Sequence, residues 1–239
     1  MTPPRRWVVT GASRGIGRAI AERALAAGDR VCLVARSEEI ARDAALLGDQ
    51  AMGVPADVKR RPDVERCCAA VAGAWGGIDV LVNSAGLHRG GKVGRVSDED
   101  WGDCIATNMT GPLNLVRAAL PHMNEGGAIV NVGAVVGFRG FAGDSCYGAS
   151  KAGLSGLTNV LAVELARQRI RVNLVVPGFV MTEMTSGISE KAREAIVAKV
   201  PLGRMGEADE IAEVCFWVAG STYMTGSTVF TDGGLMCSL

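Results

Sequence analysis

The sequence predicts an α/β fold, a three-layer αβα sandwich in which a doubly wound parallel sheet of six or seven strands lies between two layers of helices. Short apolar runs alternate with longer stretches of helical periodicity along the whole chain. Helix-like sequence flanks each internal run, which is typical of parallel strands buried on both faces. The 239 residues contain no linker and no internal repeat, so we expect a single domain over residues 1–239.

Four strands and three helices are predicted in the first half of the chain. An apolar run at residues 7–9 leads into a helix whose apolar residues lie at 20, 21, 24 and 25. Ser37 can cap the next helix, at residues 38–47, because its hydroxyl can accept a hydrogen bond from a free N–H group of the first turn, where glutamates also favour the helix dipole. The other predicted strands are residues 31–35, 51–55 and 79–82, and a third helix covers residues 62–74.

The second half continues the alternation. A helical stretch runs from Ser97 to about residue 123, and Pro112 marks a bend or break in it, because proline has no backbone N–H to donate. Strands are predicted at residues 128–132, 171–176 and 228–231, and helices at residues 147–167, 190–199 and 207–219.

The composition excludes several classes of protein. Twenty-five basic residues balance twenty-five acidic ones, so no net charge attracts nucleic acid or an anionic membrane. The beginning of the sequence lacks the apolar core of a signal peptide, and no run reaches the roughly 18 apolar residues of a membrane span. The seven cysteines include no C-x-x-C pair and are predicted to be buried thiols in a reducing compartment, and two histidines leave little material for a metal site. We therefore expect a cytoplasmic protein without a bound metal.

The glycine-rich turn at residues 10–17 predicts a dinucleotide site. Gly11 permits a tight turn, Gly15 lets the backbone approach a pyrophosphate, and Gly17 lets the following helix pack on its strand. The free N–H groups of that helix would then face the phosphates. A tight loop without a ligand is the alternative. The residues expected to contact the cofactor here are Gly11, Ser13, Arg14, Gly15, Ile16 and Gly17.

Two arginines favour NADP(H) over NAD(H). In folds of this type the residue that ends the second strand contacts the adenosine ribose, and an acid there prefers a free 2′-hydroxyl. This chain has Ala35 followed by Arg36 at that point, and Arg14 lies in the glycine turn. Two guanidinium groups that converge suit a 2′-phosphate. The alternative is that both are ordinary surface arginines.

Further cofactor contacts are expected at the carboxyl ends of the third and fourth strands, where open α/β sheets bind ligands. Asp57 can accept a hydrogen bond from the adenine amino group, and the turn that begins at Asn83 can pack on the adenosine. Both segments also have the composition of ordinary turns. The residues assigned to the cofactor here are Asp57, Val58, Asn83, Ala85 and Gly86.

Tyr147 and Lys151 are the candidate catalytic pair. Residues four apart point from one face of a helix. An ammonium near a phenol favours the phenolate and lowers its pKa, so Tyr147 is expected to exchange a proton near neutrality with a carbonyl oxygen whose carbon accepts a hydride. The same spacing arises by chance on any helix.

Together these motifs resemble those of short-chain dehydrogenases/reductases, in particular the 3-oxoacyl-carrier-protein reductases. The resemblance implies a Rossmann-type sheet of order 3-2-1-4-5-6-7, usually a homotetramer, and NADPH-dependent reduction of a ketone. The motifs that carry it are the turn at residues 10–17, Asn83-Ser84-Ala85-Gly86, Asn108, Tyr147 with Lys151, Pro177-Gly178, Pro201-Leu202-Gly203-Arg204-Met205-Gly206, Thr225-Gly226 and Asp232-Gly233-Gly234.

The resemblance also implies roles for these residues. Tyr147 would donate the proton, Lys151 would bind the nicotinamide ribose and tune Tyr147, and Asn108 would hold a water in the proton relay. Residues 181–205 would form a mobile lid, with Met184 against an acyl chain. The segments that would bracket the nicotinamide contribute Pro177, Gly178, Val180 and Thr182.

The substrate is expected to be a 3-oxoacyl thioester of acyl-carrier protein or of coenzyme A. Carrier-protein reductases meet an acidic partner with basic residues at the rim of the site, and each candidate can equally be an ordinary surface charge. The apolar lid residues Met181 and Ile188 suit an acyl chain, although a lid helix would also bury such residues against the body. The basic candidates are Arg89, Lys92, Arg139, Arg167 and Arg169.

The chain departs from the family at Ala134. The family places a serine thirteen residues before the tyrosine, where its hydroxyl and the phenol together hold the substrate carbonyl. Alanine has no donor, and losing one such donor costs on the order of 10²–10³ in rate. We interpret Ala134 as a deliberate Ser→Ala substitution made to trap a complex. The alternatives are a natural variant in which Ser145 or a water takes the role, and an NADPH-binding protein of low turnover.

Two other functions stay open. One is a ketoreductase of another carbonyl compound, as in secondary metabolism. The other is a non-catalytic NADPH-binding subunit of a hetero-oligomer, for which Ala134 is the sole sequence support. The intact set of Asn108, Tyr147 and Lys151 favours an enzyme, with the substrate contacting Ala134, Tyr147 and Met184.

Overall fold

The computed structural model describes residues 3–237. It has one seven-stranded parallel sheet and a second, small sheet of two strands with two residues each. The strands are β1 (Arg6–Thr10), β2 (Arg30–Ala35), β3 (Ala51–Pro55), β4 (Ile78–Asn83), β5 (Met123–Val132), β6 (Arg171–Pro177), β7 (Val180–Met181), β8 (Gly206–Glu207) and β9 (Thr228–Thr231). The order in the main sheet is β3-β2-β1-β4-β5-β6-β9, while β7 pairs with β8. The predicted doubly wound order is therefore confirmed, and the carboxyl ends of β1 and β4 flank its switch point.

Helices cover both faces of the sheet. They are α1 (Gly15–Ala26), α2 (Ile40–Ala45), α3 (Arg61–Trp75), α4 (Asp98–Ile105), α5 (Gly111–Ala119), α6 (Ser145–Leu165), α7 (Glu190–Val197) and α8 (Ala208–Gly220). Trp7 and Val9 of β1 pack with α1 and α8 on one face, whereas Val8 packs with α3, α5 and α6 on the other. Successive strand residues point to opposite faces, and this alternation builds two apolar layers and hence the three-layer sandwich.

The helix predicted at residues 38–47 is shorter in the structure. The Ser37 hydroxyl accepts a hydrogen bond from the Glu39 backbone N–H at 3.2 Å, so it closes a turn within two residues instead of capping a helix. Helix α2 begins only at Ile40, which is buried. The strands β7 and β8 were not predicted, because two residues are too few for a periodic pattern.

The helical stretch that begins at Ser97 is interrupted as predicted. A π-helical turn at Ala106–Thr110 separates α4 from α5, and Pro112 lies in the first turn of α5. Proline is tolerated there because a first-turn N–H has no partner within the helix. The Ser97 hydroxyl caps α4 by accepting a hydrogen bond from the Asp100 N–H at 3.0 Å.

The cysteines are free thiols, six of them buried, and Cys237 alone is exposed. Burial raises the pKa of the Cys215 thiol to about 12, so this side chain is a neutral core residue at physiological pH. From residue 3 to residue 237, no helix is long and apolar enough to cross a membrane.

Gly53 is the place where β3 meets α2 backbone to backbone. A Cβ at Gly53 would lie 2.1 Å from the Ile40 carbonyl oxygen, so Gly53→Ala must push the helix from the sheet. We expect it to lower the free energy of unfolding by about 2–3 kcal/mol. Gly73→Ala on the exposed face of α3 is the matched control, because no described atom outside that helix lies within 4 Å of the new Cβ, and it should add about 0.5–1 kcal/mol to the free energy of unfolding. Urea unfolding of both variants measures this, and equal stability of Gly53→Ala and the parent would contradict the packing.

Candidate active site

The turns after β1 and β4 are tied together at the switch point of the sheet. The Thr10 hydroxyl accepts hydrogen bonds from the Ser84 and Ala85 N–H groups, both at 3.1 Å, and donates to the Val82 carbonyl. Gly11 has φ +66°, and a Cβ there would lie 2.8 Å from the Ala85 Cα. The two predicted cofactor turns therefore form one continuous backbone surface.

The glycine turn also meets the segment after β6. A Cβ on Gly15 would lie 3.5 Å from the Thr182 methyl group, so the two segments adjoin. The Arg14 guanidinium pairs with the Glu183 carboxylate at 2.5 Å, and both side chains are exposed. Arg14 thus lies at the mouth of the site with a carboxylate partner, whereas Arg36, at the end of β2, is exposed to solvent.

The turn after β3 is held by its own side chains. The Asp57 carboxylate accepts a hydrogen bond from the Lys59 N–H at 2.9 Å. Val58 is buried, and its carbonyl accepts a hydrogen bond from the Asn114 carboxamide at 3.2 Å. The same contacts that stabilise this turn hold Asp57 at the carboxyl end of β3, where the sequence predicted it.

Asn108 is the buried centre of a hydrogen-bond network. It lies in the π-helical turn, a feature frequent at functional sites. Its side-chain oxygen accepts from the Leu87 N–H at 2.8 Å, and its amide group donates to the Leu87 carbonyl at 2.9 Å and to the Ser150 hydroxyl at 2.8 Å. Ser150 in turn donates to the Tyr147 carbonyl at 2.8 Å. The network joins the loop after β4 to the turn of α6 that carries Tyr147.

Lys151 is a buried ammonium beside that network. Its Nζ donates to the Val132 carbonyl at 2.8 Å and lies 5.7 Å from the centroid of the Tyr147 ring. Burial lowers the pKa of Lys151 to about 8. A Cβ at Gly86 would lie 3.6 Å from Nζ and 3.7 Å from the Asn108 oxygen. An ammonium has three donors, so Lys151 fits a ligand hydroxyl, such as a ribose hydroxyl, in the space beside Gly86.

Tyr147 is half-buried and surrounded by charged and polarisable groups. Burial, followed by the nearby acidic groups of Asp144 and Cys104, raises the pKa of Tyr147 above its usual range. The lowering of the Tyr147 pKa that was expected from Lys151 is therefore wrong. The physical reason is that the ammonium donates to the Val132 carbonyl instead of the phenol, and burial outweighs its distant charge.

Ala134 lies two residues after the end of β5 and immediately before a 3₁₀ turn that packs against α6. In this contact a Cβ at Gly148 would lie 3.0 Å from the Val136 carbonyl oxygen. Ser145 is the first residue of α6 and is exposed. Helical residues two apart do not share a face, so the Ser145 side chain leaves α6 in a different direction from Tyr147.

The segment predicted to bracket the nicotinamide runs from Pro177 to Thr182. The Gly178 N–H donates to the Thr231 carbonyl at 3.0 Å, which ties this segment to the end of β9. The Val180 carbonyl accepts from the Thr185 hydroxyl at 2.7 Å. Beyond it, Met184 is 53% exposed, so the described structure leaves this predicted acyl contact open to solvent.

Several site residues were missed by sequence reasoning. One of them is Asn131, whose side-chain oxygen accepts a hydrogen bond from the buried Asn83 carboxamide at 2.7 Å and whose amide group donates to the Thr158 hydroxyl at 2.8 Å. The sequence offered one signal for Asn131, because a polar side chain near the carboxyl end of a predicted strand indicates a place in the site. His88 and Asp144, which lie beside Tyr147, come from two loops and had no periodic signal.

The chain is similar to known proteins over nearly its whole length. The family model described as Enoyl-(Acyl carrier protein) reductase matches residues 11–236. Carbonyl reductase family member 4 of Danio rerio is 42% identical over 234 residues, which cover 97% of this chain and 98% of that protein. The 3-oxoacyl-[acyl-carrier-protein] reductase FabG of Vibrio cholerae is 40% identical over 233 residues, which cover 95% and 96% of the two chains.

A solved structure gives the same result in three dimensions. The blue fluorescent protein from a metagenomic library, in complex with NADPH, matches with a TM-score of 0.91 and 33% identity over 97% of both chains. Sequence and fold therefore agree. The chain belongs to the short-chain dehydrogenase/reductase family.

Proposed function

We propose that this chain is an NADPH-dependent reductase of 3-oxoacyl thioesters, carried by acyl-carrier protein or coenzyme A. The observation that supports it most is the convergence of Asn108, Tyr147 and Lys151 behind the glycine turn. The buried Lys151 ammonium has three N–H donors, and its bond to the Val132 carbonyl uses one of them. The relatedness to 3-oxoacyl-carrier-protein reductases supports the substrate class.

Bound NADPH supplies the hydride in this proposal, and the chain's own residues supply binding and the proton. The glycine turn and the turn from Asn83 to Gly86 hold the adenosine and pyrophosphate, and the segment from Pro177 to Thr182 borders the nicotinamide. Lys151 binds ribose hydroxyls. Tyr147 holds the ketone oxygen by a hydrogen bond and donates its phenolic proton as that oxygen gains negative charge. Asn108 keeps the loop after β4 in place and is suited to hold a relay water.

Ala134 weakens this arrangement because no hydroxyl helps Tyr147 to hold the ketone oxygen. The separate direction of Ser145 supports the view that its hydroxyl does not replace the missing serine. We therefore propose low turnover with intact cofactor binding. Whether Ala134 is a deliberate or a natural substitution does not change this expectation.

Arg36 is proposed to contact the 2′-phosphate together with Arg14, once Arg14 leaves Glu183. Because hydrogen bonds to charged groups contribute about 1.5–3 kcal/mol, Arg36→Ala should weaken NADPH binding roughly 10- to 100-fold and leave NADH binding unchanged. Arg30→Ala is the control, since Arg30 is exposed at the opposite end of the same strand. Fluorescence titration with both nucleotides measures the two affinities. An equal loss for NADH would contradict a phosphate contact.

Oligomerisation is part of the proposal. Trp101 on α4 and Val160 and Val163 on α6 are large apolar side chains exposed to solvent, Val163 to 78%. A homotetramer would cover such faces, and light scattering measures the mass.

The basic rim for an acidic carrier protein is weaker than the sequence indicated, because Arg89 pairs with Asp100 and Arg169 with Glu125.

A second candidate is reduction of a small ketone that carries no thioester, which the relatedness to a carbonyl reductase supports. The test is NADPH oxidation with a short 3-oxoacyl thioester on coenzyme A or carrier protein, compared with an aromatic ketone. Reduction of the thioester alone supports the first proposal, and reduction of the aromatic ketone alone supports the second. NADPH binding without turnover of either compound, also after Ala134→Ser, would favour the non-catalytic subunit.

A further inference from the structure

His88 and Asp144 form a pair beside Tyr147 for which the reaction described above has no role. The His88 Nε2 lies 2.7 Å from an Asp144 carboxylate oxygen. The His88 ring meets the Tyr147 ring edge-on, with the centroids 5.0 Å apart and the planes at 78°. A titratable imidazole thus touches the proposed proton donor directly, and its hydrogen-bond partner is an acid three residues before Tyr147.

The pair is held on a fixed part of the site. His88 belongs to the loop after β4, and Asp144 immediately precedes α6. The Gly91 N–H donates to the Gly143 carbonyl at 2.7 Å, so backbone contacts join the same two segments. The side chains stay 40% and 22% exposed, and the imidazole can therefore exchange protons with solvent without opening the fold.

The charges that act on Tyr147 come from three elements. Asp144 and Lys151 lie at and within α6, His88 lies in the loop after β4, and Cys104 lies on α4. Arg89, the neighbour of His88, is engaged by Asp100. Among these groups, Asp144 carries the negative charge that opposes a phenolate at Tyr147. His88 is in hydrogen-bond contact with the Asp144 carboxylate.

We propose that His88 and Asp144 are positioning residues that tune Tyr147, because protonation of His88 neutralises Asp144 and so favours the phenolate left after Tyr147 has given up its proton. The proton itself passes from the Tyr147 oxygen to the substrate oxygen, and His88 takes its own proton from solvent. This inference rests on the proposed function. It predicts that reduction speeds up as the pH falls and His88 takes up a proton.

A measurement without turnover tests the pair separately from the reaction. The chain has two tyrosines and two histidines, so Tyr223→Phe leaves Tyr147 as the single tyrosine for ¹³Cζ labelling. The Tyr147 signal should move with one inflection between pH 5.5 and 7.5. The inflection should vanish in His88→Gln and persist in His122→Gln, since His122 precedes the amino end of β5, whereas the site lies at the carboxyl ends of the strands. The window ends at pH 7.5 because burial lowers the pKa of Lys151 to about 8, and titration of Lys151 would add a second inflection. An inflection that survives His88→Gln would overturn the pairing.

The pH profile of ketone reduction tests the consequence. A single charge at this distance and with partial exposure to solvent changes a rate several-fold. We therefore expect His88→Gln to reduce the ketone roughly 3- to 10-fold more slowly than the parent at pH 6. The rate of this variant should not change between pH 5.5 and 7.5. Asp144→Asn, nearly isosteric, should be roughly 3- to 10-fold faster than the parent at pH 7.5. Loss of activity in both variants would indicate a merely structural role and overturn the inference. If no ketone is reduced but the inflection of the Tyr147 signal still depends on His88, the proposed function is refuted. The coupling of His88 and Asp144 to Tyr147 is then still supported.

Discussion

Ala134→Ser is expected to raise kcat for reduction of a 3-oxoacyl thioester by about 10²–10³-fold. The physical reason is that a hydroxyl at the start of the turn after β5 adds a second fixed donor for the oxygen that becomes negatively charged, and one such donor contributes on the order of 10²–10³ in rate. The donor is pre-positioned because that turn packs against α6 near Tyr147. NADPH oxidation at saturating cofactor measures the gain.

The control for this substitution is Ala142→Ser, which adds a hydroxyl on an exposed loop residue and should leave kcat unchanged. NADPH affinity should be the same in all three proteins, because Ala134 is not among the proposed cofactor contacts. A gain below threefold in Ala134→Ser would mean that another group already supplies the second donor. That outcome would support the natural-variant interpretation over a disabled serine site.

Tyr147→Phe, made in the Ala134→Ser background, is expected to lower kcat by about 10²–10⁴-fold. It removes the phenolic proton donor, and a positioned general acid contributes a factor of this size. The Tyr147 backbone would still accept from Ser150, and Asn108 would keep its other contacts, so the fold should survive. Steady-state rates and the free energy of unfolding are the two measurements.

Tyr223→Phe is the matched control, since Tyr223 is fully exposed and takes no part in the site. NADPH binding to Tyr147→Phe should stay within a few-fold of the parent, because Lys151 and the glycine turn remain. A variant that keeps more than a tenth of the parent rate would exclude Tyr147 as the proton donor. Loss of both folding and activity would instead point to a packing role for the ring.

Local patterns predicted the bounds of short apolar strands well, even at the two edges of the sheet. The strand at Ala51–Pro55 and the last strand at Thr228–Thr231 have the bounds that their apolar runs indicated. Helix α2 was predicted too long because a serine before glutamates can close a turn or cap a helix, and only the packed structure selects between them. The conformation of Asn108 also depended on packing, since no pattern distinguishes a π-helical turn from a helix.

Some features of the site also followed from the sequence, whereas others depended on the folded structure. Residue type and spacing were enough to predict the glycine turn and the shared helix face of Tyr147 and Lys151, because these are properties of residues close together in the chain. The missing hydroxyl at Ala134 followed from the family resemblance. The pKa of Tyr147 and the pairing of Arg14 with Glu183 were not accessible to that reasoning. They depend on burial and on charges that approach from distant parts of the chain. The same holds for His88 and Asp144, which are 56 residues apart and meet only because the loop after β4 folds against the start of α6.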